Sequence, residues 1–270
     1  MPLDKAYSTS TIKAAKKISF LAIAYFIIVT FSACSNSSEI KIDRSSLVDV
    51  ATITENIDLF VGKSVLVRND VLETIGEKGL ILDKDRAFSG ASILVIDTSQ
   101  TPLTFATEKT PEVLVSGKIE RLSFTDIKQK YDLHLDPNLY TQYENQPVII
   151  ADSLTLSPDP EDLTRSPEVY YGKPLAIKGE LEDLKSYGVF ELDEEQVFGG
   201  EDLLVVQLKP RIKLDNEQTA IVYGTLRPFI AVELERDYDL GWDLSIQKQI
   251  EANYSQKPVL IAEKIQILKL

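Results

Sequence analysis

"DLFVGKSVLVRNDVLETI", residues 58–75, decides the reading of the fold, because the chain nearly repeats it. Shifted by 110 positions it lies on "EVYYGKPLAIKGELEDLK" from Glu168, which sets Gly62 and Lys63 on Gly172 and Lys173. The same shift places "LDKDRAFSGASILVI" (82–96) on "LDEEQVFGGEDLLVV" (192–206), where Leu82, Asp83, Phe88, Gly90, Leu94 and Val95 meet identical residues. A shift of 107 carries "VLVSGKIERL" (113–122) onto "AIVYGTLRPF" (220–229), and Tyr131, Asp132, Leu133 and Asp136 onto Tyr238, Asp239, Leu240 and Asp243. A shift of 111 then pairs "YENQPVIIA" (143–151) with "YSQKPVLIA" (254–262). Matches in this order mark an internal duplication. The three residues lost between copies fall in a polar, proline-containing connection, where loop length costs little. The four gained fall in a helical segment, where they add about one turn and keep the same face inward.

Within each copy the pattern is mostly that of strands. Val65, Val67 and Val71 alternate with polar residues, as do Leu175, Ile177 and Leu181, which predicts a half-buried strand. Further strands are expected at 80–82, 91–96, 113–119 and 148–154. Phe124, Ile127 and Tyr131 fall at helical spacing, as do Ala231, Leu234 and Tyr238, and Asp136 and Asp243 suit N-caps of a following helical turn. Asn69 and Gly179 share one mid-strand position, and Gly117 and Gly224 another; both suit a bulge or a bent corner, with positive φ as one way to make it. The order per copy is four strands, helix, strand.

The "GKxVxVxG" opening and the late "VxVxG" strand resemble the extracytoplasmic OB-fold families of bacteria, including tandem forms on envelope lipoproteins, over about residues 52–268. The expected fold is mainly β: two tandem OB-like five-stranded antiparallel barrels, each with a helical connection before its last strand. The helix falls between strands four and five, whereas the common OB pattern has it between three and four. Repeat 1 spans 52–156 and repeat 2 spans 163–270. The linker is 157–162, within "LSPDPEDLTRSP", whose prolines are expected to prevent regular structure and whose acidic residues keep it solvated.

The N-terminus speaks about location. Lys13, Lys16 and Lys17 precede an uncharged apolar run, residues 18–33, that ends at Cys34, the chain's one cysteine. This is the layout of an export signal ending at a cleavage site. Phe31, Ser32, Ala33 and Cys34 resemble the lipobox of bacterial lipoproteins, with Phe31 in place of the usual aliphatic residue. The resemblance implies cleavage after residue 33, a diacylglycerol thioether on Cys34, and a second acyl group on its amine. Lipidation also explains an odd cysteine in an exported chain. The alternative is an uncleaved signal anchor with an incidental cysteine. Residues 34–51 are read as a lipidated tether. Ser35, in place of the aspartate that often signals inner-membrane retention, favours the outer membrane. Removing residues 1–33 takes away four lysines and one aspartate, leaving 25 basic against 41 acidic residues, net −16.

That charge weighs against nucleic acid, whose binding rests on neutralised phosphates. Tyr170, Tyr171 and Tyr187 can be read as a stacking platform or as packing, and the one dense basic stretch is "KPRIK", 209–213. His134, the sole histidine, aligns with Gly241, so no nucleophile and base pair recurs; no catalytic residue, cofactor or metal ligand is assigned. "DKDRAFSG" (83–90) and "DEEQVFGG" (193–200) offer carboxylates to calcium but lack EF-hand spacing, and a solvated hairpin is the preferred reading. The expected function is a membrane-anchored, extracytoplasmic, non-enzymatic binding or assembly module. Its partners are the membrane through its lipid and another envelope protein or component. A calcium- or small-molecule-binding lipoprotein, or an enzyme with a site between the barrels, are the alternatives.

Overall fold

The computed structural model describes residues 46–83, 91–99, 103, 111–194, 201–255 and 257–269. The first copy runs α1 (Val50–Glu55), α2 (Ile57–Phe60), β1 (Ser64–Ile75), β2 (Gly79–Asp83), β3 (Ser92–Asp97), β4 (Glu112–Arg121), α3 (Phe124–Tyr131), α4 (Pro137–Tyr140) and β5 (Pro147–Leu156). After α5 (Pro160–Arg165) come β6 (Pro174–Glu182), β7 (Val189–Asp193), β8 (Leu203–Gln207), β9 (Thr219–Pro228), α6 (Ala231–Tyr238), α7 (Leu244–Tyr254) and β10 (Pro258–Ile267). The protein is mainly β, and the order of four strands, helix and strand holds in both copies.

Strands β1 to β5 form a closed barrel: β1 pairs with β2 and β4, β3 pairs with β2, β5 pairs with β4, and β3 meets β5 to complete the ring. The later strands repeat the pairings, with β6 on β7 and β9, β8 on β7 and β10, and β10 on β9. The expectation of an all-antiparallel unit is corrected here. The β3–β5 and β8–β10 pairings are parallel. A ring with an odd number of strands cannot alternate direction all the way round, so closure of five strands forces at least one parallel seam.

Alternating residues fill the first barrel, among them Val65, Val67, Leu82, Val95, Val115 and Ile149, and the fully buried Val50 and Ile53 of α1 join them. Asp49 caps α1 by accepting from the Ala51 N–H at 2.8 Å, so the packed part of the chain reaches into the stretch expected to be tether. Part of each outward face is buried too. Ile81, Leu94, Ile96 and Ile150 lie under Ile127 of α3 and Tyr140 of α4, while Leu204, Val206, Val259 and Ile261 lie under Leu234, Trp242 and Ile250. This two-sided burial explains the unbroken runs "SILVI", "LLVV" and "PVLIA", which alternation alone does not.

Neither Gly117 nor Gly224 has positive φ, so that option is corrected as well. Their role is close approach: a Cβ on Gly117 would lie 2.5 Å from Ile150 O, and one on Gly224 would lie 2.1 Å from Ile261 O. The last strand of each copy bulges opposite its glycine, at Asp152 and at Glu263, where the register skips one residue.

The described residues all belong to one compact unit. Leu66 and Leu114 of the first copy pack with Ala176 and Ile221 of the second in a single buried cluster. The repeat shifts superpose Leu66 on Ala176 and Leu114 on Ile221, so equivalent faces meet. The connecting segment is not irregular. Pro160 sits in the first turn of α5, where proline's missing N–H costs nothing, and Ser157 and Leu163 are fully buried. Arg68 fastens this segment by donating to Ser157 Oγ at 3.0 Å, to Ser157 O at 2.9 Å and to Asp159 Oδ1 at 2.6 Å.

Candidate functional site

The outward face of β1–β2–β3 and its counterpart on β6–β7–β8 start from the same backbone plan and carry different chemistry. In the first copy most of it lies beneath α3 and α4. Tyr140 donates its phenolic hydrogen to Ile75 O over the β1–β2 turn, and Gly79 leaves room for it, since a Cβ there would lie 2.7 Å from the phenolic oxygen. What remains open is a cleft of about 500 Å³ bordered by Leu72, Ile81, Leu94, Tyr143 and Pro147, with Glu73 and Ser92 at its polar side. A register shift between Val71 and Glu73 leaves Leu72 unpaired, and its side chain is 43% exposed beside this cleft.

The second copy has no register shift between β6 and β7, and carboxylates occupy the equivalent places. Leu72, Ile81 and Ser92 align with Glu182, Glu191 and Asp202. Glu180 lies directly opposite Asp193, and Glu182 directly opposite Glu191. Like charges set opposite across strands oppose pairing. Among the described residues none of Glu182, Glu191, Asp193 and Asp202 forms an ion pair with a cation. Burial, then the nearby Asp193, Glu191 and Glu182, push the Asp202 carboxyl up to about 6. Burial, then Asp193, Glu180 and Glu191, raise Glu182, and burial with Glu191 beside it raises Tyr254. The face therefore holds a surplus of negative charge against its own repulsion, which a cationic group arriving from outside would relieve. Among the described residues no three acidic side chains are arranged to hold a metal ion.

Comparison with family models finds no match, and comparison with curated proteins finds none.

A second polar site lies at the junction of the copies. Glu112 pairs with Arg68 at 2.5 Å inside a hollow of about 430 Å³ that Asn69, Asp70, Asp49 and Lys178 also line. Burial outweighs the Arg68 guanidinium there and pushes the Glu112 carboxyl up to about 7.

The other residues singled out in the sequence are dispersed. Cys34, the apolar run 18–33 and most of both acidic hairpins (84–90 and 195–200) lie outside the described residues; no helix among those described is long and apolar enough to cross a membrane. His134 is exposed between α3 and α4. Tyr170 and Tyr171 pack against the second copy's inner core, while Tyr187 packs under α6 and α7, so the three do not form one platform. Asp136 and Asp243 cap α4 and α7 as expected. The divergence of Leu72 and Ile81 from Glu182 and Glu191 is visible in the 110-residue shift, once strand parity says which positions point outward.

Proposed function

We propose that this chain is a lipid-anchored, extracytoplasmic lipoprotein of the cell envelope in which two tandem OB-like barrels act as a non-enzymatic binding or assembly module. One observation carries the reading: equivalent faces present an open, partly apolar cleft in one copy and, among the described residues, an acidic surface without cationic partners in the other. Such a pair of surfaces suits a protein partner that offers an apolar side chain to the first and basic residues to the second. Burial of the first copy's β2–β3 face under Tyr140 and α3, together with the net charge of −16 after residues 1–33, supports a protein partner over a nucleic acid. The export signal and Cys34 support the anchor, and Ser35 the outer membrane.

The test is crosslinking in intact cells with the native chain and with Glu182→Lys/Asp202→Lys. The charge reversal is expected to abolish capture of the partner while the chain stays in the membrane fraction. In parallel, Cys34→Ser is expected to lose labelled fatty acid and to accumulate as precursor. Unchanged capture by the reversed chain would refute the acidic face as the contact, and persistent labelling of the serine variant would refute the anchor.

A further inference from the structure

A separate cleft of about 360 Å³ opens between the β6–β7 turn and the chain that leaves β8, and Arg211 lies along it with Lys185, Ile212, Lys213 and Leu214. Arg211 is half-buried, and its Nη2 donates to Leu240 O at 2.8 Å. Among the described residues no carboxylate pairs with it, and its Nε–H is buried without an acceptor. The guanidinium lies against the bare backbone of Gly188, where a Cβ would fall 2.1 Å from Nε. The aligned residue in the first copy is Lys78, so this arrangement belongs to the second copy alone.

In a chain with 42 acidic and 29 basic residues, a half-buried arginine without a counter-ion is conspicuous. A buried donor left unmade costs free energy that an incoming acceptor recovers. The two lysines beside it are already matched, Lys185 by Asp183 and Lys213 by Asp215. The formal charge left over is that of Arg211, which one negative charge balances. Ile212, 49% exposed, and Leu214 give the cleft an apolar wall. Its volume falls at the small end of ligand pockets.

We infer that this cleft binds a small organic monocarboxylate, its carboxylate on the Arg211 guanidinium and its apolar body along Ile212 and Leu214. A planar carboxylate matches the guanidinium fork, which supplies orientation as well as charge. Binding here needs neither the lipid anchor nor a protein partner, and it stands apart from the acidic face.

The experiment uses a local reporter. Trp242, the only tryptophan, donates its indole N–H to Tyr187 O at 3.0 Å, in the turn that borders the cleft. The full chain is titrated at constant pH and ionic strength with hexanoate, with hexanol and with inorganic phosphate, following Trp242 fluorescence and melting temperature. Hexanoate is expected to give a saturable change in both, with hexanol and phosphate at least about tenfold weaker. Arg211→Gln is expected to weaken hexanoate at least about tenfold. Ile212→Asp, a change at an exposed position that sets a carboxylate at the apolar wall, is expected to do the same with the fold intact. No saturable response to hexanoate at millimolar concentration would overturn the inference. So would an equal response to phosphate, which marks an inorganic anion site, or to hexanol, which marks an apolar one. An undiminished response in Ile212→Asp would overturn it even if Arg211→Gln failed to fold.

Discussion

Replacing Gly224 by alanine tests whether close strand approach is what the mid-strand glycine provides. The added Cβ would stand 2.1 Å from Ile261 O and 2.9 Å from Ile261 C, below the 3.0 Å that real Cβ atoms essentially never breach. The obstacle is backbone and cannot rotate away, so β9 and β10 must part by about 1 Å where Ala262 pairs with Gly224. Overpacking of this kind costs about 1–3 kcal/mol, and two weakened ladder hydrogen bonds add about 1 kcal/mol each. The expected loss is about 3–5 kcal/mol, or roughly 10 °C in melting temperature for a chain of this size. Gly117→Ala meets its oxygen at 2.5 Å and should cost about half as much. Gly172→Ala is the control: nothing lies within 4 Å of its Cβ, but φ is +73°, so only the left-handed penalty of about 1 kcal/mol applies. Thermal and urea unfolding of the three variants should rank them Gly224, Gly117, Gly172 from most to least damaging. Should Gly224→Ala melt within about 2 °C of the parent, or Gly172→Ala prove the more harmful, the close-approach account is refuted.

Three further outcomes are expected. Glu112, raised in the folded state from 4.5 to about 7, keeps its proton where the unfolded chain has lost it, so its contribution falls as pH rises from about 4.5 to about 7 and is flat above. That loss is up to about 3 kcal/mol, and urea unfolding across this range should show Glu112→Gln losing less stability than the parent; an identical pH profile would exclude Glu112 as the source. A smaller decline, from the raised Asp202, should remain in that variant between about 4 and 6. Asp243→Ala removes acceptors for Ser245 N and Ile246 N and should cost about 1 kcal/mol by denaturant unfolding, while Asp136→Ala, which frees one N–H of a four-residue helix, should cost less; the reverse order would contradict the capping assignment.

The order of elements and the caps were legible in the sequence, because each rests on local chemistry that recurs along the chain. Asp136 and Asp243 were identifiable as caps because each directly precedes a helical segment, and Val65, Val67 and Val71 as an inward face from their spacing alone. What only the tertiary structure decided is what lies on the other side of those strands. Leu66 and Leu114 are outward residues buried by Ala176 and Ile221, and no pattern within one copy says that a second copy covers them. The parallel seams follow from closing an odd ring, a property of the whole circuit that no single strand carries. Pro160 reads as a breaker until its place in the first turn of α5 is known. Arg211 reads as one cation in "KPRIK" until the fold brings Gly188 beneath it and sets the described carboxylates beyond its reach, since the counter-ion of a charge is settled by distances in space that spacing along the chain does not fix.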